Sequence, residues 1–257
     1  GASLVAAAPQ AQQIHTPKHL AEKILQSKSA LEGERKQVTV LFADVKGSTE
    51  LLESLGTEAW VEIMNNMFQV LEAEIYRFGG QVGQFRGDGL VAFFGARSAN
   101  EDDPEHAVLA SLAMQEAIKP FAAEMERKYG IHLVTRIGVN TGEVIVANVG
   151  DAQYSEDTPM GEALAVAARM ETAAEPGTVL VSESTYRLAR EEFEWLPLGE
   201  IMVKGISYPI PVFRPLASKP GSDSAQDTQA YGFISGLIGR KYEFSTLKKT
   251  IEDLSSG

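Results

Sequence analysis

The spacing of apolar and polar positions changes several times along the chain, and each change marks an element. Residues 37–45 alternate and then run apolar through Val38, Val40, Leu41, Phe42 and Ala43, which predicts a strand at the centre of a sheet. Over residues 57–78 the period becomes helical. Trp60, Met64, Met67, Phe68, Leu71 and Ile75 share one face there, and Gly79-Gly80 stops the helix. Two short apolar runs, 81–86 and 90–94, are separated by Gly87-Asp88-Gly89, and Asp-Gly between strand-like runs predicts a hairpin. Asp103-Pro104 opens a second helix, reaching about residue 128, with Ala110, Met114, Ala117, Phe121 and Met125 turned inward. Residues 131–139 read as a strand that Thr141-Gly142 turns back into another at 144–149. A helix over 161–174, a strand over 178–181, a short helix over 182–190 and strands over 194–203 and 208–213 complete the pattern. Outside it, residues 16–32 read as a solvated connector helix with Thr16 as N-cap and Pro17 in the first turn. Residues 217–231 read as a polar linker, and no internal repeat is present.

The first six elements run strand, helix, strand, strand, helix, strand. Short connections and right-handed crossovers fold that order into an α+β sandwich. Its core is a ferredoxin-like βαββαβ unit, with an antiparallel sheet and both helices on one face. The later elements form a C-terminal αβαββ extension. In this arrangement the first and third strands are antiparallel neighbours, so Asp44, ending the first, lies beside the hairpin turn that carries Asp88.

Composition narrows the chemistry. A chain of 257 residues with 44% hydrophobic content buries one good core and leaves length for flanking segments. The formal net charge of −12 argues against a nucleic-acid partner, which requires clustered Lys and Arg. Without cysteine there are no disulfides, thiolate sites or thiol catalysis, and a reducing cytoplasm is the expected compartment. No run of about 18 apolar residues is present, so no membrane span is expected. The opening Gly-Ala-Ser-Leu-Val-Ala-Ala-Ala lacks the basic flank of a secretion signal and reads as a flexible leader.

Two carboxylates brought together repel unless something positive lies between them, and Mg²⁺ or Mn²⁺ would supply that charge while also binding substrate phosphates. Val45-Lys46-Gly47-Ser48-Thr49, directly after Asp44, is a Gly-containing turn that opens a helix, and its N–H groups can face phosphate oxygens. The competing reading makes Asp88 a turn residue and Asp44 a helix cap. The acidic run Glu101-Asp102-Asp103 sits at the positive end of the second helix and reads as capping before metal binding.

The ordered motifs carry a resemblance. Phe42-Ala43-Asp44-Val45-Lys46-Gly47-Ser48-Thr49 resembles the first metal motif of class III adenylyl and guanylyl cyclases, and Arg86-Gly87-Asp88-Gly89 the second. The run from Ile137 to Glu143 is similar to the family's central hairpin. The run from Met160 to Glu171 is similar to the helix that carries its transition-state residues. Pro176-Gly177-Thr178 and the stretch around Leu198-Gly199 and Val203-Lys204-Gly205 follow in family order, so the resemblance covers roughly residues 35–215.

The resemblance implies a head-to-tail homodimer with active sites between subunits. It implies two Mg²⁺ or Mn²⁺ ions per site, held by Asp44, Asp88 and the main chain of Val45, and a nucleoside triphosphate substrate, ATP or possibly GTP. Lys46, Gly47, Ser48, Thr49 and Lys204 would face its phosphates, and Arg169 would stabilise charge on the α-phosphate. Three positions depart from the pattern. The purine-reading Lys is Gln84, its partner is Thr158, and the Asn that orients the ribose is Ala165. The implied activity is conversion of ATP to 3′,5′-cyclic AMP and pyrophosphate. The alternative is a weak or inactive homology domain that binds nucleotide and regulates a fused ATPase. A diguanylate cyclase is set aside, because Arg86-Gly87-Asp88-Gly89-Leu90 does not supply its Gly-Gly-Asp/Glu-Glu-Phe hairpin. Downstream, the segment from Gly232 to Leu247 resembles the entry of a P-loop ATPase domain. The expected organisation is therefore a leader and connector over 1–34, a cyclase homology domain over 35–216, a linker over 217–231, and the truncated start of an ATPase domain over 232–257.

Overall fold

The computed structural model describes residues 34–149, 156–202 and 206–219. The expected connector helix over 16–32, most of the linker, the segment 232–257 and Lys204 lie outside the described residues, as does the side chain of Thr158.

The chain folds as an α+β sandwich around one mixed sheet. Strand β1 (Glu34–Val45) leads into helix α1 (Ser48–Leu55) and helix α2 (Thr57–Arg77), then the hairpin β2 (Gln81–Arg86) and β3 (Gly89–Phe94). Helix α3 (Asp103–Tyr129) returns to β4 (Thr135–Val149) and its short partner β5 (Glu156–Met160). The extension is α4 (Glu162–Ala173), β6 (Val179–Ser182), α5 (Glu183–Ala189), β7 (Phe193–Ile201) and β8 (Ile210–Ser218). Sheet order is β2-β3-β1-β4-β6-β8-β7, with β5 beside β4. The first four strands have the ferredoxin-like order that the element sequence predicts.

Strand alternation decides what each side of β1 meets. Leu41, Ala43 and Val45 join the main core with Met64, Met67, Leu71 and Ile75 of α2 and Ala110 and Met114 of α3. Val38, Val40 and Phe42 face the opposite side, where they pack with Ala163 and Ala167 of α4. Asp44 continues this second series, so its side chain belongs to the α4 side. The full pairing of β1 leaves Asp44 level with Gly89 on one neighbour and with Arg136 on the other.

One expectation is overturned. Thr141-Gly142 does not turn the chain; β4 is a single strand of 15 residues, in unbroken register with β1 from Glu34↔Val146 to Val45↔Thr135. Tertiary partners override the local turn chemistry. Thr141 lies between two hydroxyls, Thr39 Oγ1 at 2.9 Å and Thr185 Oγ1 at 3.0 Å. Gly142 is there because a Cβ would stand 3.0 Å from that of Ala163 on α4. Residues 131–134 bury Ile131 and Leu133 but precede the strand; β1 ends at Val45, level with Thr135, and beyond it only the Lys46 N–H reaches back, donating to the Val134 carbonyl at 2.9 Å. The acidic run at the start of α3 also differs in detail. Asp102 makes no side-chain cap, whereas buried Asp103 accepts the N–H of Asn100 at 2.7 Å, holding the preceding loop rather than the first turn.

Candidate metal and nucleotide site

The end of β1 carries the site. Asp44 and Asp88 are joined through the main chain by the Val45 N–H donating to the Asp88 carbonyl at 3.2 Å. The approach requires Gly89, since a Cβ there would lie 2.6 Å from the Ala43 carbonyl oxygen and 3.2 Å from Asp44 Oδ1. Ser48, opening α1, donates its hydroxyl to Asp88 Oδ2. Helix α1 begins at Gly47 in the left-handed region (φ 75°) with no side-chain cap, so the N–H groups of its first turn remain open to an anion. Lys46 and Thr49 are exposed beside it. The carboxyl of Asp44 is raised above its ordinary range, first by burial and then by the Asp88 charge; the hydrogen bond and charge of Arg136 oppose this.

A hard divalent cation fits this arrangement. The two carboxylates and nearby main-chain carbonyls offer oxygen donors only, and Asp88 repels Asp44 in the absence of a cation. Among the described residues no group of three or more His, Cys, Asp or Glu forms a complete cage. That suits Mg²⁺ or Mn²⁺, which keep waters and complete their shell with substrate phosphates.

The other expected residues lie elsewhere on the same chain. Ala165 and Arg169 are both exposed on α4, one turn apart, and the Arg169 side chain forms no hydrogen bond or ion pair with a described residue. Gln84 is exposed on β2, paired with Val91 of β3. The main chain of Thr158 pairs with Ala147 between β5 and β4. Among the described residues, no hydrogen bond or ion pair joins Gln84 or Arg169 to Asp44 or Asp88.

Two residues were not foreseen. Arg136 Nη2 donates to Asp44 Oδ2 at 2.9 Å and stands 2.8 Å from Glu171 Oε1, close enough for an ion pair but not aligned as a hydrogen bond. Its Nη1 donates to the Thr172 carbonyl at 3.2 Å. Burial above all raises Glu171, with a contribution from the Asp44 charge and against the pull of Arg136, to about 7. A signal for Glu171 was present: it is the one acid on the buried stripe Ala163, Val166, Ala167 and Met170, and a carboxylate there demands a partner.

This elevation has a measurable sign. Because Glu171 has a folded value near 7 against an ordinary 4.5, its contribution to stability is complete below about 4.5 and lost as pH rises through about 7. In metal-free urea unfolding, Glu171→Gln is therefore expected to gain stability relative to the wild type between pH 5 and pH 8. Parallel pH profiles for the two proteins would contradict the assignment.

The chain was compared with known proteins. Residues 31–213 match the family described as the adenylate and guanylate cyclase catalytic domain. An uncharacterised protein of Rhizobium meliloti (strain 1021) is 30% identical over 246 residues, covering 95% of this chain and 23% of that protein. The chain spans between about a quarter and two fifths of the length of the curated relatives it matches. The crystal structure of the adenylyl cyclase CyaB from P. aeruginosa superposes with a TM-score of 0.69 at 34% identity, covering 74% of this chain and 98% of that one. That of the guanylyl cyclase Cya2 also gives 0.69, at 26% identity, covering 75% and 98%. With its ferredoxin-like core, its convergent Asp44 and Asp88 and a family match across most of its length, the chain belongs to the adenylate and guanylate cyclase catalytic domain family.

Proposed function

We propose that the protein converts ATP into 3′,5′-cyclic AMP and pyrophosphate with Mg²⁺ or Mn²⁺. The observation that carries this reading is the convergence of Asp44 and Asp88 beside the uncapped start of α1. The 3′-oxygen forms a bond to the α-phosphorus, the bond from that phosphorus to pyrophosphate breaks, and the hydroxyl proton passes to solvent. Bound metal ions supply the charge that makes the hydroxyl acidic and the pyrophosphate a good leaving group. Asp44, Asp88 and the Val45 carbonyl would hold those ions. Lys46, the N–H groups from Gly47 to Thr49, and Lys204 receive the phosphates.

The second half of each site comes from the other subunit of a head-to-tail homodimer. Arg169 of the partner subunit faces the α-phosphate, and its exposure, with no ion pair to a described residue, leaves it available. Gln84 and Thr158 read the purine; a Gln amide both donates and accepts, so it can meet the edge of adenine as well as that of guanine. The identity with CyaB supports ATP, and the likeness to Cya2 keeps GTP within range. Residues 232–257 fit the start of a P-loop ATPase domain that this domain would serve.

A specific observation favours a second reading, that the domain binds nucleotide and regulates such an ATPase without efficient turnover. Ala165 presents only a methyl group where the family places a ribose-orienting amide. Product analysis with Mg²⁺ or Mn²⁺ and ATP or GTP decides between them. No cyclic product from any combination, at a concentration that sustains the dimer, would reject catalysis; nucleotide-dependent thermal stabilisation without product would support the second reading. Restoring the family residues with Ala165→Asn and Gln84→Lys is expected to raise turnover of ATP about 10²-fold, the scale of one positioned transition-state donor. Unchanged steady-state rates would show that neither departure limits the reaction.

A further inference from the structure

We propose that Arg86 is a specificity-determining residue that reads the O6 and N7 edge of guanine beside Gln84. The inference deepens the nucleotide reading above and rests on it. A break in strand register puts Arg86 in place. Val82 pairs with Ala92 and Gln84 with Val91, so Gly83 bulges out of the ladder between β2 and β3. Without the extra residue Gln84 would stand against Leu90, on the side of the main core. With it, Gln84 and Arg86 turn to the α4 side, the side of Asp44. The bulge needs glycine, since a Cβ at Gly83 would lie 2.2 Å from the Phe93 ring. Between the two polar residues Phe85 takes the opposite side, where its ring centre lies 4.9 Å from that of Phe68 on α2 and pins the register.

Arg86 is exposed, and its guanidinium lies 5.7 Å from the centre of the Phe42 ring. It makes no hydrogen bond or ion pair with a described residue, although Asp88 follows closely in the chain and Asp44 shares its ladder row across Gly89. A cation serving the metal-bound phosphates would turn toward those acids. This one turns back along the strand, to the row that Phe42 and Val91 form with Gln84. The face of the ring holds the charge and leaves the N–H donors open. A guanidinium only donates, in a planar fork. Guanine offers that fork two acceptors, O6 and N7, whereas adenine offers N7 beside a donor at N6. The Gln84 amide can meet either base, but Arg86 can tell them apart. Arg86 is thereby the residue that admits GTP alongside ATP.

The test measures calorimetric affinities for 3′-deoxy-GTP, 3′-deoxy-ATP and 3′-deoxy-ITP with Mn²⁺, none of which can cyclise. Arg86→Met, which keeps an apolar stem over Phe42, is expected to weaken 3′-deoxy-GTP about 10-fold more than 3′-deoxy-ATP, the scale of one bidentate contact to a base. The inosine nucleotide keeps O6 and N7 and lacks only the 2-amino group, so it is expected to follow the guanine nucleotide. Arg86→Lys keeps the charge without the fork and is expected to lose most of the same selectivity. In turnover the ratio of kcat/KM for GTP to that for ATP falls by the same factor in Arg86→Met. Equal losses for both bases would make Arg86 a phosphate contact and overturn the proposal, as would no loss for either. An inosine nucleotide that behaves like the adenine one overturns it too. If Arg86→Met fails to fold, wild-type selectivity in Arg86→Lys overturns it. A wild-type protein that binds none of the three nucleotides brings down the nucleotide reading and this inference together. Variants that keep the selectivity of a binding wild type bring down the inference alone.

Discussion

Asp44→Asn is expected to lower cyclic-nucleotide formation by about 10³-fold or more while leaving the metal-free protein at least as heat-stable as the wild type at pH 8. The two effects have one cause. Asp44 is held half-buried beside Asp88, and its carboxyl is raised above its ordinary range. A group whose folded value is raised contributes stability that is complete below its unfolded value and is lost as pH rises through the folded one. At pH 8 the ionised carboxylate is therefore a burden on the fold, carried for the cation it would hold. Asparagine removes that burden, and its amide oxygen can still accept from Arg136, which keeps Glu171 as its ion-pair partner. Chromatographic product analysis and melting curves in chelator at pH 8 check the pair of outcomes. Activity within tenfold of the wild type would remove Asp44 from the chemistry, and a clear fall in Tm would make it a structural residue instead.

Gly138→Ala is expected to cost about 3 kcal/mol or more, at the upper end of overpacking penalties. A Cβ at this position would lie 2.0 Å from the Glu171 nitrogen, 2.5 Å from the Ala167 oxygen and 2.6 Å from the Met170 carbonyl carbon. All three obstacles are main chain of α4, so no side chain can rotate away; the helix must lift from β4 or the strand must bend. Gly142 is the internal control. Its nearest obstacle is the Ala163 Cβ at 3.0 Å, a single methyl group, and Gly142→Ala is expected to cost only about 1 kcal/mol. Urea unfolding of both variants checks the order, and equal stabilities would sink the argument from close approach. Gly138→Ala is also expected to loosen the contact of Arg136 with Glu171, because the obstructed atom is the Glu171 amide itself.

These two residues illustrate how legible the site was. The sequence alone places Asp44 and Asp88 side by side, because a strand, a helix and a hairpin in that order leave few topologies and the pairing follows from them. The same reasoning failed at Thr141-Gly142, where residues with turn chemistry proved to be the middle of β4. Their local preference was outweighed by twelve residues of pairing with β1 and by the hydroxyls of Thr39 and Thr185. Arg136 was missed because nothing near it in the chain announces its partners. Glu171 could have been suspected from the apolar stripe it interrupts, but its guanidinium could not have been named.

The sequence by itself determined most of the elements, the antiparallel core and the convergence of Asp44 with Asp88, though not the unbroken β4 or its short partner β5. Periodicity, turn residues and connection length are properties of neighbours along the chain, and together they leave one simple arrangement. Only the tertiary structure decided that β4 runs unbroken, that α4 lies against Gly138, and that Asp44 is held by Arg136 under Glu171. Those outcomes depend on strand register and on the distance between a helix and a sheet. They are set by contacts among residues far apart in sequence, which no local pattern encodes.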